Sequence, residues 1–316
     1  MEELQLYSPE AIIAANLREL NTRGALTAEQ ELAHLGELAD EITGGADLTP
    51  DFLASLSEHT LTRGSTEACL SDNAAPIGLR QRMDHAWRAI CLCEAIESRL
   101  SAQKPLSPEA FFADTEELTE AAANRITYQR NAFADSAYLQ LSALLTGPRA
   151  TYAKSFGAAC ESVCRRECEY CILPIENSQE GQLTGFWRLI AHYGLRIAAT
   201  CDVESADKKH VTRFALLRAT PISLTAMQSD RFFGFSAQSQ SRALSADVLY
   251  AAEHYRLSPA YVITNSAPLT GAPSASRFVF RVGEGNLCAF LLYLHMEIPD
   301  FTPLGFYPHL KNNRKE

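Results

Sequence analysis

The sequence predicts an α+β protein with a helical amino-terminal domain, one α/β lobe and a smaller carboxyl-terminal α+β domain. Two changes of pattern along the 316 residues carry this prediction. Helical periodicity continues to about residue 124, strands then alternate with helices, and the final part follows the order β-α-β-β-α-β. We therefore place the domains at residues 1–124, 125–222 and 228–312.

Helices of the first domain begin where capping or proline signals precede apolar residues. Thr27, with a glutamine three residues later, predicts a helix to about residue 42. Pro50 predicts a second helix with proline in its first turn. The longest predicted helix covers 76–100, and Ser107 is expected to start the next.

The α/β lobe is predicted from apolar strands that alternate with amphipathic helices. Its predicted strands are 126–128, 150–152, 170–175 and 195–200, and its predicted helices are 137–145, 156–167 and 183–193. Gly194 ends the last of these helices. In the final domain we predict strands at 232–235, 260–265, 277–282 and 304–307, with helices at 244–256 and 286–296. That order is typical of a ferredoxin-like fold.

Composition and charge exclude several classes of protein. An apolar share of 47% and a charged share of 21% are ordinary for a globular chain, and no uncharged apolar run approaches the roughly 18 residues of a membrane span. A net charge of −10 without a basic stripe argues against nucleic-acid binding. The odd count of nine cysteines and the absence of a signal-peptide pattern predict a cytoplasmic protein with reduced thiols.

Two short motifs in the lobe resemble those of the prephenate dehydratase family, whose members make phenylpyruvate from prephenate. Pro-Ile-Glu-Asn-Ser at 174–178 is the more specific, and Thr-Arg-Phe at 212–214 resembles the catalytic strand of that family. Tyr128 and Ser136 lie where the family has its Tyr-Gln opening and a serine. The resemblance implies that residues 125–222 form a single lobe of prephenate dehydratase type.

The final domain resembles the ACT domain of the same family, the module that binds phenylalanine. Leu-Gly-Phe-Tyr-Pro at 304–308 is similar to its closing motif. Ala243 and Leu244 match the end of the family's Pro-Gly-Ala-Leu, and Ser266 lies in the counterpart of its Glu-Ser-Arg-Pro. The resemblance implies that these three residues contact a regulatory ligand and that two chains pair through their ACT-like domains as a homodimer.

The resemblance also implies roles in the dehydratase reaction, which needs a proton donor and groups that hold two carboxylates but no cofactor and no metal. Thr212 is the implied catalytic donor. The implied substrate-binding residues are Ser136, Glu176, Asn177, Ser178, Arg213 and Phe214. Because neighbours on a strand point to opposite faces, we expect Thr212 and Arg213 not to face one ligand together.

Departures from the family pattern shape the functional prediction. In the family a second lobe is inserted between the two dehydratase motifs, but here only residues 179–211 separate them. A helix and a strand use most of these residues, leaving 201–210 as a predicted linker. Family glycines are also replaced, by Arg130 and Phe133 in the opening loop and by Arg242 in the ACT-like segment. We therefore predict a catalytically impaired regulatory or ligand-binding relative that takes prephenate or an aromatic amino acid.

Alternatives stay open at this point. The chain could be an active dehydratase whose site is completed by the helical domain or another subunit, with an amino-terminal chorismate mutase suggested by Arg80, Arg82 and Arg88. It could also be a non-catalytic partner of an aromatic-pathway enzyme. Residues 176–178 could simply form a turn held by side-chain-to-backbone bonds.

Four cysteines have a spacing that fits two different interpretations. Cys164, Cys168 and Cys171 have the spacing of an iron–sulfur triad in radical enzymes, and Cys160 extends it. Cys160, Cys164 and Cys168 also fall on one face of the predicted helix 156–167. Since a free cysteine behaves as a small hydrophobe, we predict core packing.

Overall fold

A computed structural model describes most of the chain. The described residues are 27–60, 79–112, 123–221, 224, 230–238, 242–265 and 275–310. They belong to two compact units, one ending at Leu106 and the other beginning at Ser107. Within these residues, no helix combines the length and the hydrophobicity that crossing a lipid bilayer requires.

The first unit is helical, as predicted. Helix α1 covers 27–43, α2 covers Pro50–Ser55 and continues as a 3-10 turn, and α3 covers Leu79–Gln103. Thr49 caps α2, because its side-chain oxygen accepts a hydrogen bond of 3.2 Å from the Phe52 amide. Pro50 occupies the first turn, where its missing N–H costs no helical hydrogen bond.

Helices α1 and α3 are joined by buried apolar residues and an arginine. Ile90 and Ile96 of α3 are fully buried, whereas Trp87 is only partly buried. Arg99 of α3 donates a hydrogen bond of 2.8 Å from Nε to Asp40 Oδ1 of α1. The apolar stripe of α3 therefore forms the core of this unit, and charged residues flank it.

The second unit alternates strands and helices. Its strands are β1 Arg125–Tyr128, β2 Arg149–Tyr152, β3 Tyr170–Asn177, β4 Gly181–Gln182, β5 Arg196–Glu204, β6 Val211–Arg218, β7 Asp230–Gln238, β8 Ser258–Asn265, β9 Ala275–Arg281 and β10 Thr302–Leu310. Its helices are α4 Ala132–Leu141, α5 Phe156–Cys164, α6 Thr184–His192, α7 Arg242–His254 and α8 Leu287–Glu297. Short 3-10 turns cover Pro108–Phe112 and Ser142–Leu144.

All described strands of this unit belong to one mixed sheet. The order is β2-β1-β3-β6-β5-β10-β7-β9-β8, and β4 pairs with β3 outside this path. The last four strands, β10-β7-β9-β8, are antiparallel to one another and have the β-α-β-β-α-β chain order predicted for a ferredoxin-like half. A parallel pairing of β5 with β10, His309 opposite Thr200, joins the two halves.

Several predicted boundaries in the lobe are wrong, and three of them have an identifiable cause. Helix α4 begins five residues earlier than predicted, because the side chain of Asn131 accepts a hydrogen bond from the Ala134 amide and starts the helix there. Helix α5 ends at Cys164 because Arg166 adopts a φ of 58°. The segment predicted as a linker from Cys201 instead continues β5, since cross-strand pairing with β6 extends the strand.

The sheet of the lobe is covered on both faces. On one, which we call the α4 face, Phe214 and Ile126 pack against Ala137 of α4. On the other, the α5/α6 face, Trp187 of α6 and Cys160 of α5 pack against the sheet. In the ferredoxin-like half, helix α8 is almost wholly buried, and its Phe290 packs against aromatic side chains of the sheet: Phe233, Phe235, Phe278 and Phe280.

Gly305 lies at the junction of the two halves. Its φ is 147°, a value that side chains disfavour, and an added Cβ would overlap the carbonyl oxygen of Ile197 on β5. Strand β10 can therefore approach β5 only with glycine at this position. The division into residues 125–222 and 228–312 stays a prediction, because both parts belong to the same compact unit.

Candidate functional site

The two dehydratase-like motifs lie side by side on adjacent antiparallel strands. Glu176 of β3 is opposite Arg213 of β6, Asn177 is opposite Thr212, and Pro174 is opposite Phe214. Segments more than thirty residues apart in sequence are thus placed in register. The backbone pairing brings together the residues that the motifs single out.

The motif residues of β6 face opposite sides of the sheet. Phe214 is buried in the apolar cluster of the α4 face, and Thr212, two residues away, is partly buried on that same face. Arg213 points to the α5/α6 face, as does Ala215 of the cluster there. The expected separation of Thr212 from Arg213 is confirmed.

Arg213 is the centre of an ion-pair row across three strands. It donates hydrogen bonds from Nε and Nη2 to the two carboxylate oxygens of Asp202, at 2.9 and 3.2 Å. Its Nη1 donates to Glu176 Oε2 at 3.0 Å. The three side chains are about one-third exposed or less. One guanidinium therefore meets two carboxylates at a partly sheltered position.

His309 of β10 extends this row into the ferredoxin-like half. Its Nε2 lies 3.4 Å from Asp202 Oδ2, and its Nδ1 lies 3.0 Å from the hydroxyl of Thr200. Burial would raise the pKa of Asp202, but hydrogen bonds and charge from His309 and Arg213 outweigh it and lower that pKa to about 2. Asp202 is therefore a carboxylate at neutral pH.

Asn177 and Ser178 use their side chains to hold the local backbone. Asn177 Oδ1 accepts hydrogen bonds from the amides of Gln179 and Glu180, at 2.9 and 2.6 Å. Ser178 Oγ accepts one of 3.1 Å from the Val211 amide, which fixes β3 to the start of β6. Such side-chain-to-backbone bonds are those expected if residues 176–178 form a structural turn. The roles of Asn177 and Ser178 in substrate binding stay predictions.

The other predicted site residues lie apart from this row or outside the described side chains. Ser136 is on α4, where its hydroxyl donates to the Ala132 carbonyl at 3.0 Å. Ala243 and Leu244 are in the first turns of α7, but their side chains lie outside the described part. Ser266 also lies outside the described residues. The regulatory site therefore stays a prediction.

The segment between the two motifs is short and structured. Residues 179–211 contain β4, α6 and β5, and a turn at 205–210 joins β5 to β6 as a hairpin. Ser205 closes this hairpin, since its amide donates to the carbonyl of His210 at 2.8 Å. No further helix or strand is present between 179 and 211, all of which are described.

The four clustered cysteines do not share one helix face. Cys160 and Cys171 are fully buried and Cys168 is nearly so, whereas Cys164 is exposed. Cys168 lies beyond the end of α5, so its predicted place on that helix is wrong, and core packing describes three of the four thiols. In the described part of the chain, no group of three or more His, Cys, Asp or Glu side chains is arranged to hold a metal ion.

Sequence reasoning missed a second polar cluster on the α5/α6 face. Arg277 of β9 is 9% exposed, and its guanidinium carbon lies 3.6 Å from the centre of the Trp187 ring. Tyr261 of β8 and Tyr307 of β10 interact electrostatically with it. Burial lowers the pKa of Arg277 and raises that of Tyr261 to about 12.

The residues of this cluster are far apart in the sequence. Tyr261, Arg277 and Tyr307 belong to three different strands, and Trp187 belongs to a helix of the other half. The alternation of polar and apolar residues in β9, which sets Arg277 and Arg281 on the face opposite Phe278, is the signal that could have pointed to it.

Comparisons with known proteins give only partial likenesses. No family model and no curated protein matches the chain. A prephenate dehydratase from Streptococcus mutans is 14% identical with a TM-score of 0.49, over 58% of this chain and 98% of that one. A prephenate dehydratase from Arthrobacter aurescens, in complex with L-Phe, is 16% identical with a TM-score of 0.44, over 58% and 89%. GqqA, named a novel type of quorum quenching acylase, is 18% identical with a TM-score of 0.46, over 61% and 100%.

Proposed function

We propose that this chain is a prephenate dehydratase-related protein of aromatic amino acid metabolism that binds a small ligand but is impaired in dehydration. The observation that carries the proposal is the pairing of the two motif strands, with Arg213 held by both Glu176 and Asp202. The register of the two motif strands supports the relation to prephenate dehydratases. The ion pairs of Arg213 support an impaired dehydratase activity.

The impairment follows from charge. Prephenate carries two carboxylates, and their binding needs cations or amide donors whose hydrogen-bonding capacity is free. Arg213 already makes three hydrogen bonds to two carboxylates, so the row of Glu176, Arg213 and Asp202 has a net negative formal charge. A dianion approaching this row is repelled rather than attracted.

The short connection between the motifs supports the same conclusion. Because residues 179–211 hold one helix, two strands and a hairpin, they leave no segment long enough for a second lobe. Thr212, the implied proton donor, is then left on one wall rather than in a cleft between two lobes. Ligand sites are normally concave, so a single wall holds a substrate poorly.

The ferredoxin-like half is proposed to act as the ligand-responsive part, an ACT-like domain that uses Ala243, Leu244 and Ser266. Its strand order supports this assignment. We further propose a cytoplasmic homodimer formed through these domains, with prephenate or an aromatic amino acid as the small-molecule partner.

The test combines ligand binding with turnover. Purified protein is assayed for phenylpyruvate formation from prephenate, and its melting temperature is measured with prephenate, phenylalanine and tyrosine. We expect turnover no faster than the uncatalysed reaction and a rise in melting temperature with at least one ligand, because a ligand that binds only the folded state stabilises it.

Thr212 variants provide the control. Turnover that Thr212→Ala abolishes and Thr212→Ser retains would identify an active dehydratase and overturn the impairment. If none of the three ligands raises the melting temperature, the ligand-binding part of the proposal is wrong.

A further inference from the structure

Arg277 is a buried cation for which no carboxylate partner exists among the described residues. It is 9% exposed, and burial lowers its pKa; the titratable side chains that act on that pKa are Tyr261 and Tyr307, which are both uncharged at physiological pH. Burying an unpaired charge is costly unless a counter-ion or hydrogen bonds compensate it. The contrast with Arg213, which has two carboxylate partners, is clear.

Arg277 lies over the indole ring of Trp187. The guanidinium carbon of Arg277 lies 3.6 Å from the centre of the Trp187 ring. A guanidinium that lies over an aromatic face can still use its N–H groups for hydrogen bonds. Trp187 is itself fixed, because its Nε1 donates a hydrogen bond of 3.0 Å to the Ile175 carbonyl. Arg277 therefore has a fixed aromatic neighbour, and the planar shape of a guanidinium matches that of a carboxylate.

The surroundings supply further polar groups. Tyr261 is opposite Val279 in the β8–β9 pairing, which makes it a diagonal neighbour of Arg277 on the same face, and Tyr307 faces the same side from β10. The side chain of Gln182 interacts with Tyr261 by a hydrogen bond, whereas its Oε1 is buried without a hydrogen-bond donor among the described residues. The cluster thus has a cation, two hydroxyls and one acceptor with unused capacity.

We propose that Arg277, Tyr261 and Tyr307 bind the carboxylate of a small organic acid whose α-hydroxyl or α-ammonium group donates to Gln182 Oε1. An apolar body on the acid is favoured, since Leu304 and Phe232 border the cluster on the α5/α6 face. The site excludes Thr212, which lies on the opposite face, and so does not depend on any dehydratase activity.

Tryptophan fluorescence can test this site directly. The chain has two tryptophans, Trp87 in the helical unit and Trp187 under Arg277, so Trp87→Phe leaves a single reporter at the site. Four probes separate the contributions: 3-phenyllactate and phenylalanine carry both groups, 3-phenylpropionate lacks the α-donor, and 2-phenylethanol lacks the carboxylate. We expect 3-phenyllactate and phenylalanine to change the Trp187 fluorescence in a saturable way. 3-Phenylpropionate should bind more weakly, and 2-phenylethanol should not bind.

Arginine variants then assign the binding. In the Trp87→Phe background, Arg277→Met should weaken binding at least about tenfold through loss of a charge-assisted pair. Arg281→Met is the matched control on the same strand and face, where the side chain is 58% exposed, and it should leave the dissociation constant within about twofold. Saturation by none of the probes, or equal affinity in Arg277→Met, overturns the proposal.

A second pair of variants covers the case in which Arg277→Met does not fold. Arg277→Lys keeps the charge without the fork, and Tyr261→Phe removes a single hydroxyl. Each should weaken binding of 3-phenyllactate at least about threefold, because each loses part of the hydrogen bonding to the carboxylate. Unchanged affinity in both variants overturns the site.

Discussion

The guanidinium of Arg213 and the carboxylate of Asp202 face each other across adjacent strands and share two nearly parallel hydrogen bonds, of 2.9 and 3.2 Å. This bidentate geometry fixes both side chains and adds specificity as well as energy. Because Glu176 accepts a third hydrogen bond and His309 approaches Asp202 from β10, the pair links four strands of the sheet.

Neutralising Asp202 should remove a pH-dependent part of the stability. Its pKa is about 2 in the folded protein, against 3.8 without these contacts, so its contribution is complete above about pH 5 and is lost as the pH falls toward 2. Asp202→Asn should lower the free energy of unfolding at pH 7 by on the order of 2 kcal/mol. Urea denaturation at pH values between about 2.5 and 7 measures the difference in the free energy of unfolding.

The matched control for Asp202 is Glu204→Gln, an exposed side chain two residues further along β5. We expect it to change the free energy of unfolding by less than about 0.5 kcal/mol. If wild type and Asp202→Asn differ in the free energy of unfolding by the same amount at low and at neutral pH, the ion pair of Asp202 does not stabilise the fold.

Replacing Gly305 should destabilise the second unit severely. The substitution Gly305→Ala combines an unfavourable φ of 147° with overlap between the new Cβ and the Ile197 carbonyl, and the backbone of β5 cannot yield easily. We expect a loss of about 2–4 kcal/mol in the free energy of unfolding, measured by chemical denaturation.

Gly185 provides the comparison for Gly305. It lies in the first turn of α6, and a Cβ built on it meets nothing within 4 Å. Gly185→Ala should therefore leave stability unchanged or raise it by up to about 1 kcal/mol, since alanine restricts the unfolded chain. An equal loss of unfolding free energy in both variants would show that the close approach of Gly305 to the Ile197 carbonyl does not determine stability.

Alkylation of the native protein should separate the described cysteines by burial. Cys164 is exposed and should react first with iodoacetamide, although partial desolvation of its sulfur raises its pKa and keeps the rate below that of a free thiol. Cys171 and Cys201 are buried with raised pKa values and should react only after unfolding. Mass spectrometry of peptides after timed labelling gives the order, and rapid labelling of Cys171 would contradict this core.

The succession of helices and strands could be predicted because it depends on local signals. Pro50 begins a helix and Gly194, with a φ of 62°, ends one as expected. The early end of α5 could not be predicted, since Arg166 adopts its left-handed conformation without a glycine or proline signal. The length of β5 also escaped prediction, because pairing with β6 decides it.

The candidate site could be predicted only in part. The motif pointed to Glu176 and Arg213 but not to Asp202, which lies in the segment predicted as a linker and meets Arg213 only through the hairpin. Arg277 and its neighbours were missed for the same reason, since partners on different strands follow from sheet order. Register depends on tertiary pairing, which a single sequence shows poorly.

The parallel pairing of β5 with β10 also removes two strand edges that would otherwise be open to aggregation. Each of these strands would otherwise be an outer strand with unpaired amides, a template on which other chains can aggregate. Within the described chain, the strands left at the two ends of the sheet are β2, which has four residues, and β8, which carries Pro259. A short strand and a proline both discourage the addition of a foreign strand. Because β5 and β10 are paired with each other, the described sheet therefore has only these two unfavourable ends.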